Sequence, residues 1–486
     1  MSEPNHIEVE LASGRLRGRD GPVRRWLNVP YGQPPVGDLR WRPPQPVKPW
    51  TGVVDATRFG ADPPQAPLAL SRAGRCDEDC LNLNVWAPAD ARGLPVLVWI
   101  FGGGFVGGSA ADARTDGAQL AAEGAVVVAV NYRVGLAGFM AHPELTAESE
   151  HRTSGNYGLM DQILALQWVR DNIAAFGGDP TRITAFGTSA GSASLSLLMT
   201  SPHARGLFKR AILHSPGVFR RLAELPDAEA AAARVAPHVA DLRRLTWQEL
   251  LARTTEIAGV GRSLTGPRVL RPIRDGWLLP HDELNAARAD LFEDMPVLLG
   301  SVTAEGDAFI EKMPRQDQAG FNATLARDFA GAVDEAMQWY GAKSDADVPA
   351  HLAEVFGDTQ FSWGTNALAR YWATRRGAPS WRYLFRRRAS GTGRVPTHGD
   401  DTVYVFGNLA QPGVALGGAY DEEDEALSAV MRRMWLAFAA TGNPQGDGLP
   451  AWPALAQAPS QYLALDAQPA LDGEWRAPQI DRKSVV

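Results

Sequence analysis

Cysteine is nearly absent: Cys76 and Cys80 are the only two among 486 residues, four positions apart. That excludes a disulfide-stapled scaffold, and without further ligands beside them it excludes a structural zinc site. A local bridge between them competes with two free thiols, and a reducing compartment favours the thiols. Long apolar runs are missing too. Pro95–Phe101 and Ala125–Val130 fall far short of the ~20 residues that a membrane helix needs. The N-terminal stretch Met1-Ser-Glu-Pro-Asn-His-Ile-Glu8 has neither a basic region nor an apolar region, so it does not read as a secretory signal. The expectation is a cytoplasmic protein with no membrane partner. A basic excess is also lacking: the net charge is −7, which argues against nucleic acid or an anionic membrane surface as partner. The short run Arg386-Arg387-Arg388 is expected to be a solvated or ion-paired face. No linker, charge block or repeat divides the chain. Although about 150 residues per domain is usual, one domain over 1–486 is expected, with insertions.

What is present alternates in the manner of a parallel sheet. The first sixty residues read as short strands and proline-punctuated turns. Pro95-Val-Leu-Val-Trp-Ile-Phe101 and Ala125-Val-Val-Val-Ala-Val-Asn131 are continuous apolar runs, as expected of strands covered on both faces. Helices are predicted over Asp116–Glu123, Tyr157–Ala175 and Ser189–Met199, with a break at Gly177–Pro180 and a short strand at Ile183–Phe186. Strand character recurs at Phe208–His214, Met295–Gly300 and Trp381–Phe385. This alternation implies an α/β fold with a mostly parallel, doubly wound sheet flanked by helices. Residues 220–290 and 306–380 are richer in helix formers and charge. They read as helical insertions capping the sheet.

Two glycine-bearing segments carry the chemistry. Gly187-Thr188-Ser189-Ala190-Gly191 lies between a predicted strand and a predicted helix. A nucleophilic serine needs such a sharp turn, where side chains at the flanking positions would collide with backbone, and the following helix directs its N–H groups at developing negative charge. Gly102-Gly103-Gly104-Phe105-Val106-Gly107 also fits a dinucleotide-binding fingerprint. The acidic residue expected at the end of the next strand is replaced by Asn131-Tyr132-Arg133, so an oxyanion hole built from glycine N–H groups is favoured once Ser189 is counted. On a fold of this kind, an acid and then a histidine follow the nucleophile on later loops. Glu305 and Asp307 are the candidate acids, and Glu305 beside Gly306 is better placed in a tight loop. Of six later histidines, His398 sits in a Gly/Pro loop, whereas His214 ends a strand and fits a satisfied core histidine equally well.

Several segments together resemble the type-B carboxylesterase/cholinesterase family over nearly the whole chain. They are Glu78-Asp-Cys-Leu-Asn-Leu-Asn-Val-Trp-Ala-Pro88, Phe176–Gly191, Val29–Arg40, Asn131-Tyr-Arg-Val-Gly135 and Gly155–Gln162. The resemblance implies an α/β-hydrolase fold and a serine carboxylesterase needing neither cofactor nor metal. It assigns Ser189 as nucleophile and Gly103, Gly104 and Ala190 as oxyanion donors. It selects Glu305 through Thr303-Ala-Glu305-Gly306 and His398 through His398–Phe406, and it places Ser215 behind the triad. The sequence departs from the family pattern in four places. Thr188 stands where the family usually has Glu, and Phe101 where it often has His or Tyr. The partner expected for Cys80 is replaced near Asp62–Gln65, and no aromatic lies between Gln65 and Glu78 to bind a quaternary ammonium. The implied substrates are small to medium, mostly neutral esters. Carbamate or amide hydrolysis by the same residues is the alternative, followed by a non-catalytic binding protein on the same fold. The oligomeric state is not legible.

Overall fold

The computed structural model describes residues 5–258, 264, 266–311, 313, 316–375, 377–388, 390, 393–411, 420–473 and 475–476. The first sixty residues form β1 (His6–Leu11), β2 (Gly14–Arg19), β3 (Val23–Pro30) and β4 (Val53–Asp55). Next come β5 (Asn82–Pro88), β6 (Leu94–Ile100), β7 (Val126–Val130), β8 (Gly178–Thr188) and β9 (Arg210–His214). After the small pair β10 (Ala223–Glu224) and β11 (Ile273–Arg274) come β12 (Val297–Val302), β13 (Ser380–Phe385), β14 (Gln461–Leu465) and β15 (Ala470–Gly473).

All but β10 and β11 join one 13-stranded sheet, in the order β1-β2-β3-β5-β7-β6-β8-β9-β12-β13-β14-β15, with β4 beside β2. From β7 through β14 neighbouring strands run parallel, and the two ends of the sheet are antiparallel apart from β4, which pairs parallel with β2. The centre is apolar on both faces because the sequence is: every residue of β7, and Val96 to Ile100 of β6, is buried. Each buried Val, Leu or Ile side chain among them contributes about 1.5–3 kcal/mol over its exposed state. Trp99 fixes one covering helix by meeting Phe186 at 4.9 Å and Phe406 at 5.0 Å. Helices Tyr157–Asn172, Ala190–Leu198 and Glu422–Thr441 pack against the sheet. No helix among the described residues is long and apolar enough to cross a membrane.

Two local expectations shift. The helix predicted to Ala175 ends at Asn172 and tightens into a 3-10 turn over Ile173–Phe176, closed by Gly177 at φ 83°. The break predicted at Gly177–Pro180 is strand from its second residue: Gly178 pairs with Leu94, so β8 starts well before Ile183. Asp400–Phe406, directly after His398, is helical. The arginine run is ion-paired, Arg387 to Asp421, Glu423 and Asp424 at 2.6–2.9 Å and Arg386 to Asp472 at 2.6 Å. Cys76 and Cys80 are both free thiols.

Residues 220–290 carry helices Leu225–Val235, Val239–Arg243, Trp247–Ala252, Thr254–Ala258 and Glu283–Arg288. Residues 306–380 carry Asp307–Ile310, Gln318–Asp328, Val333–Tyr340, Val348–Gly357 and Trp363–Thr374. Parts of both stretches (259–263 and 265; 312, 314, 315 and 376) lie outside the described residues. The second group buries an apolar cluster of its own, including Phe321, Leu325, Tyr340, Phe356 and Phe361.

Candidate active site

The parallel register brings the chemistry together. Thr188, the last residue of β8, pairs with His214, the last of β9, and His214 pairs with Gly300 near the end of β12. Loops leaving these strands therefore emerge at one edge, with strands about 4.8 Å apart. Ser189 sits immediately after β8 at φ 56° and ψ −120°, a conformation that costs non-glycine residues of order 1–3 kcal/mol. The turn is tied down on both sides. Ser189 N–H donates to His214 C=O at 2.9 Å, and the Ser192 hydroxyl donates to Gly187 C=O at 2.5 Å and to His214 C=O at 2.9 Å. A Cβ on Gly191 would lie 2.0 Å from the Ile100 carbonyl oxygen, and one on Gly187 2.7 Å from it. Both flanking positions are therefore closed to any side chain. Ala190 opens helix Ala190–Leu198, where first-turn N–H groups have no carbonyl within the helix to satisfy them.

The glycine run lies against this turn: a Cβ on Gly102 would be 3.0 Å from Ser189 Cβ. Gly103 and Gly104 both have positive φ, 116° and 65°. Gln65 clamps the far end of the loop, donating to Gly108 C=O and accepting from Gly108 N–H, each at 2.7 Å. Nothing in the sequence marked Gln65 except the missing cysteine near it. The loop continues into a 3-10 turn at Ala113–Thr115 before a helix at Ala118–Ala122, so no helix starts at the glycines as a dinucleotide site would require. Asn131 and Arg133 are buried structural residues. Asn131 holds Ala110 N–H and Ala61 C=O, and Arg133 pairs with Asp161 at 2.7 Å.

Glu305 and Asp307 part company. Asp307 is exposed at the start of a short helix. Glu305 is 2% exposed; one oxygen accepts from the Ser215 hydroxyl at 2.7 Å and from Val302 N–H at 2.9 Å, and the other meets His398 Nδ1 at 2.5 Å. The two loops are stitched together by Ala304 N–H donating to Pro396 C=O at 3.1 Å. The His398 ring is packed by Phe361 at 4.1 Å and Phe309 at 5.1 Å, and its buried Nε2 has no hydrogen-bond partner among the described residues.

His214 lies elsewhere in the chemistry. Its Nδ1–H donates to Asp401 at 3.0 Å, its Nε2 accepts from the Trp435 indole N–H at 3.1 Å, and the Tyr383 hydroxyl donates to Asp401 at 2.6 Å. All four side chains are buried. Burial alone would raise the Asp401 carboxyl, but the electrostatic attraction and hydrogen bond of His214 and the Tyr383 bond outweigh it, leaving the carboxyl below its ordinary value. A carboxylate with a lowered folded-state pKa contributes stability above its unfolded value of ~3.9, lost as pH falls through the folded value. Asp401→Asn is therefore expected to destabilise by about 3 kcal/mol at pH 7, measured by denaturant unfolding. The gap from the parent should close below about pH 4; a gap unchanged at pH 3 would refute the charge as its source. Asp401 stands three residues after His398, a spacing that gave no hint of its link to His214.

The chain matches the model of the carboxylesterase family over residues 5–482. It is 42% identical to fumonisin B1 esterase of Sphingopyxis macrogoltabida over 450 residues, 91% of this chain and 83% of that one. It is 32% identical to para-nitrobenzyl esterase of Bacillus subtilis (strain 168), covering 96% of each. It is also 32% identical to cocaine esterase of Homo sapiens, covering 96% of this chain and 87% of the other. A solved PNB esterase structure superposes with a TM-score of 0.87 at 30% identity, covering 99% of this chain and 100% of its own. A match of that extent, in sequence and in backbone, makes this chain a member of the carboxylesterase family, a serine carboxylesterase on the α/β-hydrolase fold.

Proposed function

We propose that ester cleavage here runs through Ser189, His398 and Glu305 by a two-step acyl transfer. The observation that carries this reading is the placement of Glu305, buried between Ser215 and His398 Nδ1, while His398 Nε2 is left without a partner. In the first step His398 Nε2 takes the Ser189 hydroxyl proton and Oγ adds to the ester carbonyl. The C=O electron pair moves onto oxygen and is held by the N–H groups of Gly103, Gly104 and Ala190. Collapse breaks the bond to the alcohol, which leaves with the proton from His398. Water then repeats the sequence on the acyl-enzyme and releases the acid. Glu305 fixes the imidazole tautomer and balances its charge, and Ser215 holds Glu305 in place.

The helices of 220–290 and 306–380 act in this reading as a cap, with Phe309 and Phe361 bringing its apolar cluster onto the His398 ring. Thr188 leaves no carboxylate beside the nucleophile, which disfavours cationic esters and admits small to medium neutral ones. The chemistry is tested by burst kinetics on a short-chain p-nitrophenyl ester together with a fluorophosphonate probe. The probe is expected to label one peptide, the one containing Ser189; labelling at another residue would overturn the assignment.

A further inference from the structure

The chain is acidic overall, yet arginines converge beside the site described above. Arg220 follows Ser215 by five residues, and its guanidinium folds back over that segment: a Cβ on Gly217 would lie 2.5 Å from Nη2. The guanidinium stands 5.1 Å over the Phe361 ring, whose centre is 4.1 Å from that of the His398 imidazole. It is thus one aromatic ring from the proposed base. Arg271 stands beside the glycine loop. Its Nη2 comes within 3.7 Å of a Cβ position on Gly104, and its guanidinium lies 6.0 Å from the Phe105 ring.

Arg220 is half-buried and poorly compensated. Nη2 donates to the Gln360 carbonyl, whereas Nε is buried with no hydrogen-bond partner. Among the described residues it forms no ion pair, and the carboxylate that weighs on it, Glu283, stands outside contact and accepts from Phe219 N–H at 2.8 Å. Burial first, and then the like charge of Arg268, draw the guanidinium down to about 9, still cationic at neutral pH. Burial likewise lifts Glu283 to about 7, which weakens the little compensation it offers. Arg268 and Arg271 engage other groups as well, so they act here through their field. A half-buried cation whose Nε donor is buried and unused is costly unless an anion meets it. The oxyanion of the reaction is already provided for by backbone N–H groups, so the missing anion belongs to another part of the substrate.

We propose that Arg220, backed by Arg268 and Arg271, binds a free carboxylate on the substrate, so that the preferred esters are ones carrying a second, ionised carboxyl group. This rests on the proposed triad and goes one step past the tolerance for neutral esters that Thr188 alone suggests. The guanidinium supplies charge-assisted hydrogen bonds to the carboxylate, and its neighbours raise the local potential for it.

The test compares kcat/KM within two pairs: monoethyl glutarate against diethyl glutarate, with the charge on the acyl part, and 4-acetoxybutanoate against its methyl ester, with the charge on the alcohol part. The charged member of one pair is expected to win by about tenfold at low salt, and the winning pair tells which side Arg220 faces. That ratio should fall by about tenfold in Arg220→Gln and by less in Arg220→Lys. Glutarate itself should compete with diethyl glutarate in the unaltered protein, an arm that needs no variant to fold. Ratios near one in both pairs, a ratio unmoved in Arg220→Gln, or no inhibition by glutarate would overturn the proposal while leaving the triad intact. Failure to cleave either charged ester while p-nitrophenyl ester turnover persists would likewise overturn it, whereas absence of fluorophosphonate labelling at Ser189 sinks the triad reading, and this proposal with it.

Discussion

Ser189→Ala is expected to lower kcat on a short-chain p-nitrophenyl ester by roughly 10⁴- to 10⁶-fold and to abolish fluorophosphonate labelling. The effect is large because, in the proposed mechanism, the Ser189 hydroxyl oxygen forms the covalent bond. Without it, only the oxyanion donors and binding contacts remain to speed direct attack by water. The substitution is also mild structurally. The hydrogen bonds that hold the turn come from Ser189 N–H and from the Ser192 hydroxyl, none from Ser189 Oγ. Circular dichroism and thermal unfolding should therefore match the parent. A rate within tenfold of the parent, in a folded protein, would remove Ser189 from the chemistry.

Glu305→Gln comes second, with an expected loss of about 10³- to 10⁴-fold in kcat. Glu305 spends one oxygen on Ser215 and Val302 and presents the other to His398 Nδ1 at 2.5 Å. An amide in its place offers a donor where His398 needs an acceptor, or it breaks the bonds on its other side. Either outcome frees the imidazole to adopt the tautomer that cannot accept the Ser189 proton. The loss should fall on kcat, with KM for a small ester changing by less than about threefold. Ser215→Ala provides the graded comparison. It leaves the carboxylate charge and removes one of its supports, so a decrease of about tenfold is expected. Equal losses in the two variants would mean that Glu305 matters for packing and not for the proton.

Much of this site was readable before any coordinates. The paired glycines around Ser189 carry their own physical reason, since Gly187 and Gly191 both press on the Ile100 carbonyl. The apolar runs in β6 and β7 announced a two-sided parallel sheet for an equally direct reason: a strand covered on both faces has no polar positions to spare. The segments Glu78–Pro88 and Phe176–Gly191 carried the family resemblance, which in turn selected Glu305 and His398, although on the residues alone Glu305 and Asp307 stood as competing acids. Their separation is tertiary. One side chain turns inward between β9 and the His398 loop, and the other starts a helix in solvent. His214 was ambiguous for the same reason, since a strand-end histidine is read only from what surrounds it. Here Asp401, Trp435 and Tyr383 surround it, from residues 169 to 221 positions away.

The sequence alone therefore determined the fold class, the sharp glycine-flanked turn at Ser189 and the family, because these rest on local periodicity and on residues adjacent in the chain. The tertiary structure decided which acid meets the histidine and that Gln65 clamps the glycine loop. It also decided that Arg220 stands one ring away from His398. Those contacts join segments tens to hundreds of residues apart, and chain spacing carries no record of which distant loops a folded sheet brings to the same edge.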